Sequence, residues 1–324
     1  MAKTLLLISE HAEDQQFASE VAMTAGLTLK VAQKMDDGVK WMAQEEVVCV
    51  FVDIPSQAAY QALEDAVQAQ IGIFSDRIAS LSFHFICTQE IEEYPYLVQS
   101  PLFSNFMMRN YGEVKKSGEQ YGRIVQAMQA ERAFGLPRFL KAGAKVQVIK
   151  LSQSTQKNAA VDAVRNFLAA AKFQSRMAMT IVSAVDEVLM NAIFDAPVDA
   201  LGKQIYATTP RSTSFALEGQ SAVELHVAYD GELLTLSVVD FFGSLDKARL
   251  FSHIAKAYHQ EEYKVKASQA GAGVGLGSVF RTGSSFLFIS ENQVKTEVVV
   301  FFRKFQSYRD FRNQFRFLAS QFYF

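Results

Sequence analysis

Apolar and polar positions along the first part of the chain alternate between strand-like and helix-like spacing at short intervals. The pattern predicts a strand from Thr4 to Ile8, a helix from Glu13 to Thr24 stopped by Gly26, a strand from Leu27 to Val31 and a helix from Gly38 to Gln44. A fully apolar strand from Val47 to Val52 then ends at Asp53. Next come a helix from Gln57 to Gln70, a strand from Ser80 to Cys87 ending at Thr88, a helix near Ile91 to Val98, a strand from Asn105 to Arg109 and a last helix from about Glu119 to Phe134. Strand and helix in strict succession predict a parallel sheet covered on both faces.

The second part has a different grammar. It opens with a strand from Lys145 to Leu151 and an amphipathic helix from Lys157 to Ala171. The next helix, Met177 to Ile193, is apolar nearly all round, which describes a buried helix. One line along it is polar: Thr180, Ser183, Glu187 and Asn191 recur every three or four residues, and Asp195 continues the row. Burying an acid and an amide there costs on the order of several kcal/mol unless something satisfies them, so the row is expected to face a pocket, a metal or a ligand. The plainer alternative is an amphipathic helix with a narrow wet stripe.

A polar segment from Pro197 to Gln220 follows. Ala222 to Ala228 and Leu233 to Val239 alternate around Tyr229-Asp-Gly-Glu232, a hairpin signal, and the second strand ends in Asp240 before Phe241-Phe-Gly243. A helix fits Leu245 to His259, a charged loop Gln260 to Gln269, a glycine run Gly271, Gly273, Gly275 and Gly277, a short helix Gly277 to Arg281, and strands Phe286 to Ser290 and Thr296 to Phe302. The aromatic stretch from Tyr308 to Phe324 reads as a helical tail packed on the chain's own sheet, the alternative being a segment that docks a partner or touches a membrane.

The 324 residues, 49% of them hydrophobic, suit two domains, each able to bury a core. Boundaries fall at 1–134, a linker at 135–144 carrying Gly135 and Pro137, 145–306, and the tail 307–324. A net charge of -2 supplies no basic field for nucleic acid. Cys49 and Cys87 sit in apolar runs and are expected to be buried free thiols in a reducing compartment. No apolar run approaching ~18 residues and no cleavage-site pattern is read, so the expectation is a cytoplasmic protein without a membrane span. None of the five histidines has a metal-ligand spacing.

The combination of E-x-x-x-N on a helix (Glu187, Asn191), an acid closing a strand (Asp240) and the loop Gly271-Ala-Gly-Val-Gly-Leu-Gly277 resembles the nucleotide-binding boxes of the GHKL ATPases. That family includes gyrase, heat-shock chaperones, histidine kinases and anti-sigma-factor serine kinases. The last are closest, through Asp186 to Pro197, Phe-Gly-Ser-Leu-Asp at 242–246 and Lys295-Thr-Glu-Val298. No histidine occurs in the helix Lys157 to Ala171, where a sensor kinase would carry its phospho-accepting one. The resemblance implies an α/β sandwich with a mixed sheet that binds ATP and Mg²⁺. Asn191 would be the metal ligand, Asp240 the acceptor for the adenine amino group, and Gly243, Gly271, Gly273, Gly275, Leu276 and Gly277 the backbone around the nucleotide. Glu187 would orient or deprotonate the attacking hydroxyl, and a lid would lie between Asp240 and the glycines. Phe242 stands where the family has a glycine, and would either stack on adenine or narrow the site.

The first domain is similar to a response-regulator receiver, a five-stranded flavodoxin-like fold with its ligands at the carboxyl edge of the sheet. That resemblance implies Asp53 as phospho-acceptor, Glu10 with Asp53 as Mg²⁺ ligands, and Thr88 and Arg109 as the switch positions. Ser9 replaces a second acid, and Arg109-Asn110 replaces the usual Lys-Pro. Two readings follow. In one, a bacterial signal-transduction protein uses its receiver to control an ATP-dependent serine kinase or partner switch. Its partners would be an anti-sigma antagonist or sigma factor, a histidine kinase as phosphodonor, and a second copy in a homodimer. In the other, both sites are non-catalytic and the protein is a scaffold that sequesters its partner.

Overall fold

The computed structural model describes residues 3–44, 46–79, 82–98, 100, 102–206, 208–258 and 284–324. The fold is α/β with both parallel and antiparallel strand pairing. Contacts divide the chain into two compact units, Met1–Ala133 with Phe315–Ala319, and Phe134–Gln314 with Ser320–Phe324.

In the first unit β1 (Thr4–Ile8), β2 (Thr28–Ala32), β3 (Val47–Asp53), β4 (Ser82–Cys87) and β5 (Asn105–Met108) run parallel in the order β2-β1-β3-β4-β5. Every residue of β1 is buried, as an unbroken apolar run requires when helices cover both faces. The helices are α1 (Ala12–Ala25), α2 (Met35–Gln44), α3 (Gln57–Ala79), α4 (Pro95–Val98) and α5 (Val114–Met128). α1 ends on Gly26 in the left-handed conformation, as the sequence predicts. α3 runs past the predicted Gln70, since the only poor helix former beyond it, Gly72, costs no more than about 1 kcal/mol. Cys49 and Cys87 are buried free thiols, with burial pushing both well above the ordinary thiol range.

α5 begins at Val114, before the predicted Glu119, and takes in Gly118 and Gly122. These two face α1 so closely that a Cβ on Gly122 would lie 2.5 Å from the Cβ of Thr24 and 3.0 Å from the Val21 carbonyl oxygen. Glycine therefore sets the separation of the two helices. Gly122→Val is expected to push them apart and destabilise the unit by about 1–3 kcal/mol, read from the shift of its denaturant midpoint.

The second unit is built on an antiparallel meander. β6 (Val146–Leu151), β7 (Val223–Tyr229), β8 (Leu233–Asp240), β10 (Lys295–Arg303) and β9 (Ser285–Glu291) lie side by side in that order. α6 (Lys157–Ala170) and α7 (Ser175–Met190) pack together, and α8 (Lys247–Tyr258) follows β8. The stretch Ser175–Asp195 is apolar and long enough by composition to cross a membrane, contrary to the reading of the sequence. Yet 56% of its apolar window is buried inside the protein, which makes it a core helix.

The stretch 135–144, read as the connection, contains a short 3₁₀ turn, Leu136–Phe139, with both end residues buried and the Gly135 N–H donating to the buried Glu297 carboxylate at 2.8 Å. One other expectation needs correction. The tail 307–324 is not helical throughout. A short helix α9 (Tyr308–Arg312), capped by the Ser307 hydroxyl, gives way to strand β11 (Phe317–Tyr323). The period-two sequence Phe315-Arg-Phe317 suits a pleated, half-buried surface better than a helix. The tail does pack on the chain's own sheet, with Phe317 and Leu318 paired to Met107 and Phe106 of β5. Phe315 meets the ring of Phe17 edge-on at 5.2 Å, and Phe17 in turn stacks on Tyr111. Gly271 to Gly277 and the helix predicted at 277–281 lie outside the described residues.

Candidate functional site

Each unit gathers polar side chains at the ends of its strands. In the first, β1, β3, β4 and β5 bring Ser9, Asp53, Thr88 and Arg109 to one edge of the parallel sheet. The centre of the cluster is a residue the sequence reading passed over. Asp14, in the first turn of α1, is fully buried and accepts a two-pronged contact from Arg109, Nε at 2.9 Å and Nη2 at 2.8 Å. It accepts further from the Ser9 hydroxyl at 2.6 Å and the Tyr111 hydroxyl at 2.8 Å. The same Nη2 of Arg109 reaches Asp53 Oδ1 at 2.5 Å, and His11 Nε2 lies 3.3 Å from the other oxygen of Asp53. Flanked by two carboxylates, Arg109 stays protonated well above its ordinary range, and the neighbouring Asp14 helps hold Tyr111 neutral.

A guanidinium thus stands between the two acids where a magnesium ion would have to bind. Glu10, expected as a metal ligand, is exposed. The residues here do not fit a resident Mg²⁺ ion at Glu10 and Asp53, because the metal would have to displace the arginine from buried partners. Thr88 is exposed, with its N–H and hydroxyl at 3.2 and 3.3 Å from the hydroxyl of the buried Tyr94.

In the second unit the polar row of the buried helix divides. Thr180 is held by the Arg176 carbonyl and the Tyr308 hydroxyl, and Ser183 is exposed. After Met190 the helix widens into a π turn, Asn191–Asp195, a local irregularity frequent where a helix presents side chains to a site. The turn places Asn191 and Asp195 on the wall of a cavity of about 60 Å³, joined there by Asp240, Ser244, Arg249 and Thr296. The remaining walls are apolar, among them Val188, Ala192, Val238, Phe288 and Val298. Apolar walls with a few convergent polar groups are the make-up of a small-molecule site, though the cavity is smaller than the roughly 300–1,000 Å³ usual for one.

Asp240 lies at the carboxyl end of β8, where β7 and β10 flank it. It is buried, accepts the Phe242 N–H at 3.0 Å and the Gly243 N–H, and has the Thr296 hydroxyl beside it. Burial raises its carboxyl to about 6 against these donors. Asp195 is also buried and raised by burial, although Arg211 Nη2 stands 3.4 Å from Oδ1. The Asp195 carbonyl accepts from Gln204 at 2.8 Å and from Arg249 Nη2 at 2.9 Å. The structure therefore brings Asn191 and Asp240 together. Glu187 sits one helical turn before Asn191 and outside the cavity wall, half-buried, its carboxyl raised first by burial and then by Asp186.

Phe242, expected to stack on a base or narrow its site, is buried and does not line the cavity. Gly243 has another reason to be glycine. At φ +59° its missing Cβ would fall 2.0 Å from the Glu291 carbonyl oxygen and 2.7 Å from the Val294 nitrogen, so it lets the loop after β8 close on the β9–β10 turn. Gly243 thus has a packing role. Gly271, Gly273, Gly275, Leu276 and Gly277 lie outside the described residues.

Sequence reading missed Arg249 and Arg211, as well as Asp14 and Tyr111. Lone basic residues on a helix or in a polar excursion look like solvated surface, and only tertiary contacts mark them out. The sequence matches no protein-family model, and no curated protein is detectably similar to it.

Proposed function

We propose that the second unit binds Mg·ATP in the manner of a GHKL ATPase, and that the chain is a cytoplasmic bacterial signalling protein acting as a partner switch of the anti-sigma type. The observation that carries this reading is the cavity lined by both Asn191 and the buried Asp240. Asp240 accepts the exocyclic amine of adenine, the apolar walls exclude water around the ring, and the neutral oxygen of Asn191 supplies the single protein ligand that magnesium requires when phosphates complete its shell. The bound metal would neutralise phosphate charge. Glu187, with its raised carboxyl one turn away, is placed to take the proton of a serine hydroxyl on the partner.

The first unit in this reading is receiver-like but not phosphorylated, because the Arg109 bridge engages Asp53 and Asp14 at once. That arrangement favours control by docking over control by a histidine kinase. A switch that binds nucleotide without phosphotransfer remains the second form of the proposal, and Glu187 separates the two. Glu187→Gln should leave ATP affinity unchanged and abolish transfer to the partner.

Calorimetric titration with ATP and Mg²⁺ tests the binding. Asn191→Ala is expected to lose at least about tenfold in affinity in the presence of Mg²⁺ and little in its absence. Affinity of the wild-type protein should be full at about pH 8 and fall at about pH 5, since protonating Asp240 below about 6 replaces an acceptor by a donor. Equal heats for Asn191→Ala and wild type, with and without the metal, would refute the assignment.

A further inference from the structure

Arg211 belongs to the polar excursion between the π turn and β7, and it reaches back to the helix that carries the site. Its guanidinium carbon lies 4.5 Å from the centre of the Phe194 ring, and its Nη2 stands 3.4 Å from Asp195. The ring orients the guanidinium plane, and the carboxylate contact is too long to use it fully. Its Nη1 is buried and meets no acceptor among the described residues. A guanidinium carries five N–H donors, and on this partly exposed side chain the Nη1 donors are available to an anionic ligand.

Its position along the polar row identifies the anion. Arg211 acts electrostatically on both Asp195 and Glu187, which stand one turn to either side of Asn191. Its guanidinium thus acts on the same polar row that brings Asn191 to the cavity wall, from beyond the cavity lining itself. Arg249 on the cavity wall does not fill this role, since it donates to the carbonyls of Asp195 and Ser244 and so braces the loop.

We propose that Arg211 is the phosphate-binding residue of this site, its bare Nη1 donating to an oxygen of the nucleotide whose base occupies the cavity. The inference rests on the nucleotide reading above, and the test separates the two. ATP, ADP and adenosine are titrated into the full-length protein and into Arg211→Gln. Wild type should bind ATP more tightly than adenosine, and Arg211→Gln should weaken ATP by about 10- to 100-fold while leaving adenosine within about twofold. Equal loss for ATP and adenosine would make Arg211 a structural brace and overturn the inference while leaving the nucleotide reading in place. Undiminished ATP affinity would overturn it in the same way. Failure of the wild-type protein to bind either ligand would overturn the nucleotide reading and the inference with it.

Discussion

Arg109→Met should destabilise the first unit by about 3–5 kcal/mol, as breaking one side of a buried ion pair does. Asp14 is fully enclosed and Arg109 is only 10% exposed, so solvent screens their attraction little. Removing the guanidinium leaves Asp14 with only the Ser9 and Tyr111 hydroxyls, and Asp53 with His11. The measurement is the denaturant midpoint of the unit. Arg109→Lys keeps the charge but loses the two-pronged geometry, and should fall between the variant and wild type. Combining Arg109→Met with Asp14→Asn should recover much of the loss, since the uncompensated charge then disappears. A loss below about 1 kcal/mol for Arg109→Met would show that the bridge does not organise this edge of the sheet.

The second large effect is local to the loop after β8. Gly243→Ala places a methyl group inside contact distance of the Glu291 carbonyl and the nitrogens of Gln293 and Val294 at a positive φ, so the loop must move off the β9–β10 turn. Strain and repacking together should cost about 3 kcal/mol or more. The loss should appear in the ligand-free protein, because the packing of Gly243 on the β9–β10 turn needs no ligand. A variant with unchanged thermal stability and weakened nucleotide binding would reverse that assignment.

Much of the framework is legible in the sequence because burial writes itself as period. The apolar runs predicted as strands at Thr4–Ile8 and Val47–Val52 are interior strands, and the run Leu233–Val239, read as alternating, is buried throughout the strand it forms. The Tyr229-Asp-Gly-Glu232 turn joins β7 to β8 in the expected antiparallel register. Glu187 and Asn191 stand four positions apart as the helical spacing predicts, and the packing of their helix on β8 brings Asn191 and Asp240 to one cavity. What stayed hidden depends on contacts distant in sequence. Asp14 reads as an ordinary acid at a helix start, and only Arg109, ninety-five positions on, makes it the centre of a cluster. Phe315 to Leu318 read as a helical tail because the strand beside which they lie, β5, is far away in the chain. The π turn at Asn191–Asp195 leaves no compositional mark, since it costs one irregular helical bond and is compensated by side-chain contacts such as Gln204 to the Asp195 carbonyl.

The central claim, a buried carboxylate that recognises the amino group of adenine, is tested most directly by comparing ATP with inosine triphosphate. The two differ at C6, an amine in one and a carbonyl in the other, and in consequence at N1, an acceptor in ATP and an N–H donor in inosine triphosphate. Titrated against the full-length protein with Mg²⁺ at about pH 8, ATP should bind at least about 100-fold more tightly, because the carbonyl would face the ionised Asp240 without a shared proton. Equal affinity for the two nucleotides, or none for either, would contradict the assignment of this cavity.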